Sequence, residues 1–191
     1  PMLMFIVVPI SYIMRLYADF QIQFDHIFPA SDGTHEERVE QIAEQIVEWN
    51  KNGRNKKIRT SRPNWAAMST KLASNKEDAN KIALGHMNHI LNVDYTNKTI
   101  KCEPGVTMGQ ITHLLVPQGF ALQIQIEMES ITIGGVTMGF GMETNSHTIG
   151  FFQESVIEYE IVTSDGTVRT VNANNDPELF YALPWSAGTL G

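Results

Sequence analysis

The chain has 191 residues, of which 42% are hydrophobic and 18% charged, enough for one large domain, or one domain with an appendage, around a sizeable core. Its net charge of −7 argues against a nucleic-acid partner, which needs a basic surface. A single cysteine, Cys102, excludes an internal disulfide and a cysteine-based zinc site.

In chain order, Met2 to Met14 is almost wholly apolar and Arg15 follows. A membrane span takes about 20 apolar residues, so residues 1–18 read as the end of a membrane segment. Pro9 and the lack of helical periodicity do not suit a core helix; a buried or interfacial segment is the alternative. Residues 19–33 read as a linker and 34–191 as the folded domain. Thr34-His35-Glu36-Glu37 has the form of a capping box, Val39, Ile42, Ile46 and Trp49 follow at helical spacing, and Gly53 is a stop. Lys57 to Thr60 is β-like, and Ser61-Arg62-Pro63-Asn64-Trp65 is a turn. After a weak stretch, His89 to Tyr95 and Thr99 to Glu103 read as two strands around Thr96-Asn97-Lys98. Cys102 lies in the second strand and reads as a small buried hydrophobe. Pro104-Gly105 breaks that strand. Met108 to Val116 is a short helix ended by Gly119. Glu158 to Thr163 and Val168 to Val171 form a hairpin on Asp165-Gly166, and Asp176-Pro177 opens a last helix. Helices mixed with hairpins point to α+β rather than a βαβ repeat.

The run Thr132-Ile133-Gly134-Gly135-Val136-Thr137-Met138-Gly139-Phe140-Gly141 carries four glycines within eight residues. Such backbone can take positive φ, approach a ligand closely and present N–H groups to a pyrophosphate. Ile133, Val136, Met138 and Phe140 between them could cover a flat ring. A tight structural turn explains the glycines equally well. The run fits neither the G-x-G-x-x-G fingerprint, because Thr144 stands in the last glycine's place and no βαβ unit surrounds it, nor a P-loop. Pro184 to Gly191 adds two glycines and two hydroxyls, a second backbone wall if it meets the first. His147 reads as a hydrogen-bonding structural residue, and His86 with His89 has metal-pair spacing but no carboxylate at a useful distance along the chain. Glu127 and Glu129 read as a solvated loop, and Asn97-Lys98-Thr99 is a glycosylation sequon in a tight turn.

Taken in order, Leu91-Asn92-Val93-Asp94, Glu103-Pro104-Gly105-Val106-Thr107-Met108-Gly109-Gln110, Thr132-Ile133-Gly134-Gly135, Ser146-His147-Thr148-Ile149-Gly150 and Glu160 to Gly166 resemble the FAD-binding domain of the vanillyl-alcohol-oxidase (PCMH) type. Within it, Val136-Thr137-Met138-Gly139, Asp176 to Ser186 and Gly188-Thr189-Leu190-Gly191 resemble the Δ24-sterol reductases, the DWARF1/diminuto and seladin group. The resemblance runs over residues 5 to 191. It implies a domain of two α+β subdomains with FAD between them. Thr132, Ile133, Gly134, Gly135, Val136, Thr137, Met138, Gly139, Phe140, Gly141, Met142, Glu143 and Thr144 would line the flavin and pyrophosphate, with His147 beside them. Gly188, Thr189 and Gly191 would close on the cofactor from the other side. The Arg62 to Trp65 turn stands where many relatives have a glycine-rich loop, and it contains no glycine; it also has no His or Cys to anchor flavin, so the FAD is expected to be non-covalent. The family reaction is reduction of the C24–C25 double bond of a sterol side chain, with NADPH as electron donor, at the endoplasmic reticulum membrane. It calls for a proton donor and an apolar pocket, both expected beyond residue 191. The chain opens on Pro1 and stops inside a glycine turn, which predicts a fragment of a longer protein. The alternatives are an alcohol oxidase or lipid-ether synthase of the same superfamily, or a non-catalytic scaffold that keeps the fold without flavin.

Overall fold

The computed structural model describes residues 7–13, 16–17, 33–61, 79–84 and 86–191. It divides into two units, 1–32 and 33–191. In the first, residues 7–13 and 16–17 are helical, and the Ser11 hydroxyl donates back to the carbonyls of Val7 (2.8 Å) and Val8 (3.0 Å). Val7, Val8, Ile10, Tyr12, Ile13, Leu16 and Tyr17 are exposed. The stretch is apolar on every side, so it has no helical stripe and yet is helical. Among the described residues no helix is long and apolar enough to cross a membrane.

The second unit opens with the expected helix, α1 (His35–Lys51). The Thr34 hydroxyl accepts from the Glu37 N–H (3.3 Å) and the Glu37 carboxylate accepts from the Thr34 N–H (2.7 Å), which satisfies two N-terminal donors reciprocally. Val39, Ile42 and Ile46 pack with Ile82 and Met87. Strand β1 (Ile58–Ser61) pairs in parallel with β2 (Asn80–Ala83). The sequence gives no sign of β2, because only Ile82 of its four residues is buried. Of the predicted turn from Ser61 to Trp65, Ser61 is instead the last residue of β1, where its pairing with Ala83 extends the strand, and residues 62–65 lie outside the described residues.

Strands β3 (Ile90–Asp94) and β4 (Thr99–Cys102) form the expected antiparallel hairpin, and Lys98 at its tip takes the left-handed φ of 55°. Helix α2 (Met108–Leu115) is capped by Thr107 and Gln110 and runs through a 3-10 turn to Gly119, whose φ of 79° ends it. Ile111, Leu115 and Val106 form a core against this hairpin, with Cys102 packed on it. Burial, and then the Glu103 charge, push the Cys102 thiol up to about 11, so it is a packing group and not a reactive one. Helices α3 (Ile133–Met138) and α4 (Ser146–Ile149) come next. The antiparallel hairpin β5 (Glu158–Val162) and β6 (Val168–Asn172) and helix α5 (Pro177–Ala182), capped by Asp176, complete the order. Tyr159, Ile161, Val171, Phe180 and Leu183 bury the face between this hairpin and α5. Among the described residues, three two-stranded sheets with helices packed on them are the α+β arrangement the sequence predicts.

Candidate functional site

Residues 133–138 of the glycine run form a helix, and Gly139 to Gly141 follow it without positive φ. Thr132 is its N-cap, extended at φ −85° and ψ 147°, and its hydroxyl accepts from the Gly135 N–H (3.3 Å). Gly134, Gly135, Gly139 and Gly141 all have ordinary φ. The first-turn donors are already used: Ile133 N–H bonds the Val106 carbonyl (2.8 Å), Gly134 N–H the Pro104 carbonyl (2.9 Å) and Val136 N–H the Thr132 carbonyl (3.0 Å). A concavity of free amides, expected from the glycine content, is therefore not formed here. The glycines serve close packing instead. A Cβ on Gly134 would lie 2.6 Å from the Pro104 Cβ, and one on Gly141 would meet Phe152 (2.6 Å) and Val136 (2.7 Å).

The helical turn also decides which side chains face outward. Val136 and Thr137 are buried, and Met138 packs toward Tyr159 and Phe180. The expectation that Ile133, Val136 and Met138 cover a ring with Phe140 is corrected for Val136 and Met138: helical spacing turns both into the core. Gly135 is exposed, and Phe140 (51%) and Met142 (60%) stand out of the helix's end. The Glu143 N–H donates to the Ser146 hydroxyl (2.9 Å) and its carboxylate accepts from the Glu127 N–H (3.3 Å). His147 is exposed, with Nδ1 2.8 Å from the Thr144 carbonyl, the structural role read from the sequence.

The segment that carries the second pair of glycines touches the end of α3. The Ala187 N–H donates to the Met138 carbonyl (2.9 Å), and the Ser186 hydroxyl lies 3.5 Å from the Met138 sulfur. Trp185, Ala187 and Gly188 hold left-handed φ values of 70°, 52° and 71°. The N–H groups of Gly188 and Leu190 have no acceptor among the described residues. Free donors thus sit in the Pro184–Gly191 segment rather than in the α3 run. Bare exposed backbone at Gly135, free amides at Gly188 and Leu190, and apolar surface at Phe140, Met142 and Trp185 fit a group that combines phosphates with a flat ring.

A second cluster escaped the sequence reading. Glu103 has a side-chain exposure of 0% and accepts from Arg38 Nε (2.9 Å) and Nη2, His35 Nδ1 (2.9 Å), the His89 N–H (2.8 Å) and His89 Nδ1 (2.9 Å). His35 Nε2 also bonds Glu160 (3.1 Å), so one imidazole bridges two carboxylates. Burial alone would raise the Glu103 carboxyl, but the donors from His35, His89 and Arg38 outweigh it and hold it low. Burial likewise lowers His35, and the bonds to Glu103 and Glu160 with their charges overcome it and raise it. A buried Arg38 inside the apolar stripe of α1 was the available signal, since such a charge needs a partner. His89, spaced as a metal pair with His86, is committed to this carboxylate.

Known proteins resemble this chain in sequence and fold. A family described as an FAD binding domain matches residues 37–172. The Delta(24)-sterol reductase homolog dhcr-24 of Caenorhabditis elegans is 38% identical over 95% of this chain and 36% of its own length. The human Delta(24)-sterol reductase is 37% identical over 96% of the chain and 35% of its own length, and that of Pisum sativum 32% identical over 100% and 34%. The chain thus spans about a third of these relatives' length. Among solved structures, 6-hydroxy-D-nicotine oxidase from Arthrobacter nicotinovorans superposes with a TM-score of 0.63 at 19% identity, covering 78% of this chain and 31% of that one. Xylooligosaccharide oxidase from Myceliophthora thermophila gives 0.63 at 20% identity, over 76% and 30%. These structural matches share the fold.

Proposed function

Because the chain belongs to the FAD-binding-domain family, we propose that it binds FAD non-covalently and forms the cofactor-binding part of an enzyme that reduces the C24–C25 double bond of a sterol with NADPH. The observation that carries the cofactor reading is the contact between α3 and the Pro184–Gly191 segment. It brings the exposed ring of Trp185 against Phe140, in the same segment that carries the free Gly188 and Leu190 amides. When bound, FAD supplies hydride-transfer chemistry. In this reading the Gly188 and Leu190 amides hold phosphate oxygens with Gly191 beside them, and Thr189, whose N–H (3.1 Å) and hydroxyl (2.7 Å) both bond the Ser186 carbonyl, fixes the turn that presents them. Thr132 caps α3, Gly134 lets it lie close against Pro104, Gly139 makes room for the Gly135 carbonyl and Gly141 lies close against Phe152, so that Ile133, Gly135, Phe140, Met142, Glu143, Thr144 and His147 present one wall. Val136, Thr137 and Met138 support that wall from behind.

The substrate class rests on the sterol reductases that resemble nearly all of this chain. The exposed apolar residues of 7–17 support a membrane-associated enzyme, and the endoplasmic reticulum is the proposed membrane. The proton donor and sterol pocket are assigned to the rest of the protein. Purified protein of native length, incubated with NADPH and a Δ24-sterol, should yield a sterol heavier by two hydrogens on mass analysis. Flavin-bearing protein that leaves the sterol unchanged but oxidises an alcohol would move the assignment to an oxidase of the same superfamily.

A further inference from the structure

Phe140, Phe151 and Trp185 come from three different segments: the stretch just past α3, the turn after α4 and the segment after α5. Their rings nonetheless meet. The Phe140 and Trp185 centroids are 5.1 Å apart at 89°, Phe151 and Trp185 5.7 Å at 79°, and Phe140 and Phe151 5.1 Å at 46°. Edge-to-face clusters of this kind belong in cores, where their area is removed from water. Here Trp185 is 55% exposed and Phe140 51%.

The backbone that carries Trp185 is held in place. Trp185 is held at φ 70°, a conformation that costs a bulky side chain on the order of 1–3 kcal/mol. The Ser186 N–H to Leu183 carbonyl bond (3.1 Å) and the Ala187 N–H to Met138 carbonyl bond (2.9 Å) fix the segment on both sides of it. A structure that spends strain to hold an indole half out of the surface, edge-on to two phenyl rings, has built a flat apolar face. The free amides of Gly188 and Leu190 follow within five residues. A flat ring joined through a short linker to phosphates is the ligand that satisfies both features.

We infer that Trp185, backed by Phe140 and Phe151, is the stacking platform for a flat ring of the bound dinucleotide. The inference rests on the FAD reading above and assigns it a ring-binding subsite. Trp185 acts by contact area and water exclusion, and no proton or electron passes through it.

Trp185→Gly tests the platform cleanly, because glycine relieves the left-handed backbone while deleting the ring. In native-length protein stripped of flavin, FAD is titrated and followed by flavin fluorescence and by quenching of tryptophan emission. Stacking contributions of this kind predict FAD binding weaker by roughly tenfold or more in Trp185→Gly, with the thermal midpoint of the flavin-free protein unchanged or raised. Trp185→Phe should keep most of the affinity and lose part of the quenching. Phe140→Ala, at a half-exposed position, should weaken FAD in the same direction. Titration with ADP and with FMN then tells which ring is held: weakening confined to FMN marks the isoalloxazine, and weakening confined to ADP marks the adenine. Unchanged FAD affinity in both Trp185→Gly and Phe140→Ala would overturn the platform while leaving the cofactor reading intact. A wild-type protein that binds no FAD would overturn the reading beneath it.

Discussion

At the scale of single residues, the Glu103 cluster is the most constrained chemistry in the molecule. Its carboxylate has no solvent contact, and Arg38, His35 and His89 supply its donors. Removing one partner from such a set leaves charge that water cannot reach. Arg38→Met should therefore lower unfolding free energy by about 3 kcal/mol, read from urea denaturation. The cluster also sets a pH window. His35 is raised from its ordinary 6.5, so its contribution is complete below that value and is lost as pH rises through the raised one. Glu103 is lowered from 4.5, so its contribution is present above that value and is lost as pH falls through the lowered one. The urea midpoint should peak between about 4.5 and 6.5 and fall on the alkaline side. His35→Gln should flatten that alkaline limb; an unchanged limb would mean another group controls it.

Among the elements, what was legible depended on whether the signal was local. Helix α1 announces itself through Thr34, Glu37 and the Val39-Ile42-Ile46 stripe, and the structure follows that pattern. The β3–β4 and β5–β6 hairpins carry their own turns at Thr96 to Lys98 and at Asp165-Gly166. Strand β2 carries no such mark: its partner β1 lies about twenty residues earlier, and a parallel pairing is decided by packing of Ile82 rather than by local sequence. The α3 run misleads for a different reason. Four glycines suggest an open loop, yet the Thr132 cap and close approach to Pro104 make a helix. Gly134→Ala tests that account, since its Cβ would press within 2.6 Å of the Pro104 Cβ. Overpacking should outweigh the helix propensity gained and destabilise by about 1–3 kcal/mol in urea titration. A neutral or stabilising outcome would show that the approach to Pro104 is slack.

For the whole molecule, the family was readable from the order of short motifs, because a backbone that holds a dinucleotide needs several separated segments in sequence. The site's inner geometry was not readable in the same way. Whether Val136 faces a ligand or the core depends on α3 being helical, and which amides stay free depends on contacts such as Gly134 with Pro104 and Ala187 with Met138. Glu103 and Arg38 are 65 residues apart in the chain, and no local pattern joins them. The cofactor remains the central claim, and flavin content tests it most directly. Protein of native length, purified without added flavin and then heat-denatured, should release FAD in about equimolar amount, free in the supernatant as expected of a non-covalent cofactor. A folded, colourless protein that takes up no FAD on titration would contradict the account.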